Sequence, residues 1–83
     1  MGMLRVLSRR GDDRVVWDMQ RVAVADPEAV AAVDEAERRF RDEQARGTTA
    51  FRVERSRAPE RIDRFDPTAE QIVLVPRVVG GRR

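Results

Sequence analysis

Between Asp26 and Gly47 the sequence carries a single apolar stripe, and in a chain of 83 residues that stripe demands a partner layer. Asp26 is a good N-cap, Pro27 suits the first helical position and Glu28 favours the positive end of the helix dipole. Ala29, Val33, Ala36 and Phe40 then recur at spacings of four, three and four, with Val30 alongside, the period of an amphipathic helix. Glu35, Arg38, Arg39, Asp42 and Glu43 cover much of the remainder, and Gly47 is placed as a C-terminal cap. The predicted helix, residues 27–46, is about 30 Å long. A chain this short builds one core, so the helix must bury its stripe on a sheet made from the other residues.

Strand signals lie on both sides of it. Residues 3–8 and 14–18 are short apolar runs around a glycine-containing turn at 9–13, which reads as a β-hairpin. Residues 19–25 either extend the hairpin or form a connection. Thr48 to Arg55 alternates, with Phe51 and Val53 on one side, as a half-buried strand does. Residues 56–61 are polar, contain Pro59 and read as a loop. Ile62 and Phe65 return toward the core, and the aspartate–proline pair at 66–67 predicts a short helical turn near 67–70. Gln71 to Val75 is the most hydrophobic run and suits a central strand. If Ile72 and Leu74 face the helix, Val73 and Val75 face outward. The order ββαββ, with one main helix on a mixed sheet, is the β-grasp plan of an α+β domain; a ferredoxin-like plan needs a second full helix that residues 56–70 do not supply.

Composition removes whole classes of chemistry. The chain has no cysteine and no histidine, which excludes disulfides, thiolate nucleophiles and histidine catalysis by this chain and leaves no metal site or cofactor expected. All 17 basic residues are arginine, set against 15 acidic ones for a net charge of +2. The arginine pairs 9–10, 38–39 and 82–83 offer phosphate contacts, but acidic residues interleave the helix and no aromatic ladder accompanies the arginines, so no nucleic-acid partner is expected; a nucleic-acid accessory role is the weakest reading. Asp12, Asp13 and Asp18 lack the spacing of a calcium loop, and a hairpin turn explains the first two. No apolar run spans a bilayer and no apolar signal stretch follows Met1, which implies no membrane partner and a cytoplasmic setting. Trp17, among valines, reads as core or sheet-face packing.

The C-terminal segment is the sharp feature. Pro76-Arg77-Val78-Val79-Gly80-Gly81 directly follows the last strand, and here the chain resembles ubiquitin-like proteins, including the small sulfur carriers such as the small subunit of molybdopterin synthase. The sulfur carriers often close on a Pro-Pro-Val-small-Gly-Gly pattern, matched at Pro76, Val78 and both glycines. The resemblance implies a single β-grasp domain over residues 1–79 and a flexible tail over 80–83. It also implies that the chain is not an enzyme but a substrate of enzymes, a bacterial-type protein modifier or sulfur carrier activated at Gly80 and Gly81 by an adenylating enzyme. Two residues without Cβ let the backbone pass through a narrow channel. Arg77 falls where the activating enzyme of ubiquitin reads an arginine, and Val75 would match a member of ubiquitin's aliphatic recognition patch, with Val73 beside it. Arg82 and Arg83 follow the glycines, so either a processing peptidase removes them or the tail is never activated. In the alternative reading the protein is a non-conjugated β-grasp interaction module, phage-related or a subunit of a larger complex.

Overall fold

The computed structural model describes residues 1–8 and 11–76. Strand β1 (Gly2–Ser8) buries alternate residues, Gly2, Leu4 and Val6, and pairs antiparallel with β2 (Gly11–Trp17) from Ser8↔Gly11 to Gly2↔Trp17. Asp12 and Asp13, expected in a turn, are therefore strand residues opposite Leu7 and Val6. Trp17 closes the hairpin and is 2% exposed, core packing as the valine-rich surroundings implied.

Residues 19–25, read as a hairpin extension or a connection, begin with a short helix, α1 (Met19–Ala23), capped by Asp18, whose carboxylate accepts from the Gln20 and Arg21 amides. It ends in a Schellman arrangement: Ala25 N–H donates to the Val22 carbonyl at 3.0 Å and Asp26 N–H to the Arg21 carbonyl at 2.9 Å, with Ala25 at φ 58°. Helix α2 (Pro27–Ala45) follows at once, with Asp26 accepting from the Ala29 amide. Its far end repeats the closure with glycine: Gly47, at φ 88°, donates to Gln44 and Thr48 donates to Glu43. The helix predicted over 27–46 thus starts where its sequence implied and ends one residue sooner, with Arg46 as C-cap, and Ala29, Ala36 and Phe40 of the stripe are buried.

Strand β3 (Thr49–Val53) leads through a loop with Ser56 at φ 71° into β4 (Glu60–Ile62), and β5 (Gln71–Val75) completes the sheet. β4 corrects the expected loop at 56–61 and makes five strands where four were read. Only one apolar residue, Ile62, marks it, and a three-residue edge strand needs no apolar alternation. At 67–70 the chain makes a hydrogen-bonded turn, with Ala69 N–H on the Asp66 carbonyl at 3.2 Å, in place of the expected helical turn. Asp66 holds it through its carboxylate, which accepts from both the amide and the hydroxyl of Thr68.

The sheet order is β2-β1-β5-β3-β4, with β5 parallel to β1 and every other pairing antiparallel. This is an α+β domain, one mixed five-stranded sheet with one main helix, and it is compatible with a β-grasp fold. Leu4, Val6, Ile72 and Leu74 from the sheet meet Ala36 and Phe40 from α2 in one core cluster with Trp17, Ala50 and Ala69. Phe65 lies against its margin, its ring 5.8 Å from both Trp17 and Phe40. No helix of the described residues is long and apolar enough to cross a membrane.

Candidate functional site

The alternation of β5 divides its residues cleanly. Ile72 and Leu74 are fully buried beneath α2, whereas Val73 and Val75 are half-buried on the opposite face. Both helices pack on the core side, so this second face of the sheet is bare of them. Register places Val73 between Arg5 of β1 and Phe51 of β3. Arg5 pairs in turn with Arg14, and Phe51 with Arg61. One row across all five strands therefore reads Arg14, Arg5, Val73, Phe51, Arg61. Val75 opposes Thr49 in the next row, and Met3 opposes Val16, which is 43% exposed. The face is an aliphatic and aromatic strip with arginine at both ends.

Neither Arg52 nor Arg55 stands beside Val73. Arg52 instead pairs with Ile72, on the core side, and its guanidinium binds Asp66 at 3.1 Å and Glu60 at 2.6 Å. Arg55 lies past the end of β3. Phe51 and Val53 share the Val73 face, and it is Ala50, opposite Leu74, that enters the core. The Phe51–Val53 alternation was visible in the sequence. Which side met the helix depended on Ala50, whose methyl group gives little hydrophobic signal.

Electrostatics at the β1–β2 end are locally closed. Asp12 accepts from Arg5 at 2.6 Å and lies 3.7 Å from Arg14. The hydrogen bond from Arg5 is the main cause holding the Asp12 carboxyl below the usual carboxylate range, and the same bond raises Arg5. Asp13 meets Arg39 of α2 at 3.3 Å, and Asp18 is spent on its cap. These three aspartates are thus engaged separately, and among the described residues no group of three or more acidic side chains could hold a metal ion.

From Val75 the chain passes to exposed Pro76, at the hairpin end of the sheet where Leu7, Asp12 and Thr49 lie. Arg77, Gly80 and Gly81, the residues expected to be read and activated, fall outside the described residues, as do Arg82 and Arg83. Chemically, the described face offers apolar contact at Val73 and Phe51 and guanidinium groups at Arg5, Arg14 and Arg61. No family model, curated protein or solved structure matches the chain.

Proposed function

We propose that the protein is a ubiquitin-like β-grasp protein, a modifier or sulfur carrier activated at its diglycine. The observation that carries this reading is the place of β5: a central strand parallel to β1, followed in sequence within six residues by Gly80-Gly81. A strand held on both sides anchors the tail that follows it, and glycines let that tail enter a narrow enzyme channel. In the proposed chemistry a peptidase cleaves after Gly81 and the new carboxylate attacks the α-phosphate of ATP. Pyrophosphate leaves; a partner thiolate then displaces AMP to give a thioester, from which a target amine displaces the thiol, or sulfide-level sulfur supplied by a partner displaces AMP to give a thiocarboxylate. The partners supply every nucleophile, a division that suits a chain without cysteine or histidine. Val73 and Val75, beside the start of the tail, form the docking contact for the adenylating enzyme, with Arg77 read on entry.

The modifier reading is preferred over the carrier because Arg77 and the trailing arginines suit recognition and processing. Without lysine the protein cannot build lysine-linked chains of itself, so its attachment is single or through Met1. To test it, a form ending at Gly81 is incubated with ATP and the adenylating enzyme encoded beside it. The expected product is the acyl-adenylate or thioester, detected by mass; absence of both, with deletion of Gly80 and Gly81 harmless in cells, refutes the proposal. The bare Val73 face supports a second reading, a non-conjugated interaction module. It requires binding through that face by a protein whose tail deletion has no consequence.

A further inference from the structure

The ion pairs are unevenly distributed along the chain. Every described arginine from Arg5 to Arg52 lies within ion-pair distance of a carboxylate. Arg55, Arg57, Arg61 and Arg64 are exposed and, among the described residues, reach none. All four bracket β4: two in the loop before it, one within it and one just after it. β4 is also the end of the sheet, paired with β3 on one side only, and alternate residues of such a strand direct backbone N–H and C=O groups outward.

Two shallow clefts adjoin this edge. One, about 350 Å³, lies between α2 and the residues after β4 and is lined by Glu37 with its ion-pair partner Arg41, by Arg64, and by Phe40 and Phe65. The other, about 340 Å³, is lined by Thr48, Thr49, Arg61 and Ile62. Gln44 and Asp63 border both, joined by a 2.6 Å bond from the Gln44 amide to the Asp63 carbonyl. Unpaired arginines and unpaired backbone thus coincide beside two clefts of mixed polar and apolar lining.

We propose that the β4 edge receives an acidic extended segment of a partner protein, whose backbone pairs with β4 while its carboxylates meet Arg61 and Arg64. A second copy is disfavoured, since antiparallel pairing centred on β4 brings Arg61 against its own counterpart, like charges directly opposite. A nucleic acid fits less well, because Glu54, Glu60 and Asp63 interrupt the arginines and break a phosphate track. An extended peptide alternates its side chains, setting apolar groups toward the clefts between its carboxylates. The proposal is independent of what happens at Gly81.

The test uses the full chain and a fluorescein-labelled peptide of alternating glutamate and valine, with binding read by polarisation and mapped by amide NMR. The expected result is salt-sensitive binding with shifts concentrated at residues 60–64. Affinity falls about fivefold in the Arg61→Gln/Arg64→Gln double variant and stays unchanged in Arg21→Gln/Arg38→Gln, which removes the same net charge elsewhere. NMR dispersion checks that each variant is folded. Equal loss in both variants, shifts centred on Val73, tighter binding to oligothymidine, or no binding to the peptide each overturn the proposal.

Discussion

Replacing Gly2 with alanine probes the join between the hairpin and the core. Gly2 pairs with Trp17 across the first rung of the sheet, and the indole fills the space where a side chain at residue 2 would stand. A Cβ at residue 2 would fall within the van der Waals envelope of the indole Cε2 and Nε1 atoms and 2.6 Å from Cζ2. The ring has little room to retreat: it is 2% exposed, packs on Phe65 and donates from Nε1 to the Pro67 carbonyl at 3.1 Å. Overpacking of this kind costs about 1–3 kcal/mol, and loss of the indole hydrogen bond adds about 1 kcal/mol. Set against a total stability of roughly 4–12 kcal/mol for a domain of this size, that lowers Tm by roughly 10–25 °C. Thermal unfolding followed by circular dichroism gives the magnitude, and fluorescence gives the cause, because Trp17 is the sole tryptophan. Its emission should shift to the red as the ring leaves the core. The double variant Gly2→Ala/Trp17→Phe should lose much less than the sum of the single changes, since phenylalanine removes the part of the ring that clashes. A Tm within about 2 °C of the parent, or strict additivity, refutes the claim that the indole is what requires glycine at position 2.

Three further outcomes are expected. Asp26→Ala removes the carboxylate that caps α2 at the Ala29 amide and should cost about 1 kcal/mol, read as a fall in the denaturant midpoint at unchanged slope. The Asp66 carboxyl is held below its ordinary 3.8 first by the Thr68 hydroxyl and then by Thr68 N–H and Arg52. A depressed acid stabilises the fold above its unfolded value and loses that contribution as pH falls through the lower folded value, so Asp66→Asn should flatten the decline in stability below pH 3.8 relative to the parent. Val73→Glu places a charge on the bare sheet face and should leave the fold intact while abolishing recognition by the adenylating enzyme; unchanged recognition by a folded variant removes Val73 from the docking contact.

Local signals with a dedicated residue were legible in the sequence. Asp26-Pro27 and Gly47 framed α2, and the apolar run 71–75 marked β5 as a central strand, whereas packing rather than sequence decides that Ile72 and Leu74 are its buried pair. Cap chemistry alone, Asp18 before Met19 and Val22, would have found α1, but a five-residue helix offers too short a period to stand out. β4 left almost no mark because pairing with β3, not burial, creates it. Sidedness in β3 was hidden for a related reason. Phe51 and Val53 look like core residues, yet the core beneath α2 is filled by Phe40 and Leu74, and alanine at 50 completes it. The arginine strip across the bare face is a product of register alone: Arg5, Arg14 and Arg61 are distant in sequence and meet only when five strands align. The tail motif was read from Pro76 to Gly81, and its role is a matter of chemistry with a partner.

The most direct measurement is the intact mass of the protein isolated from the cells that make it. Processing and activation at the diglycine predict a C-terminus at Gly81, together with heavier species in which that glycine is joined to a target amine or carries a thiocarboxylate. A single species that retains Arg82 and Arg83, with no adduct, contradicts it.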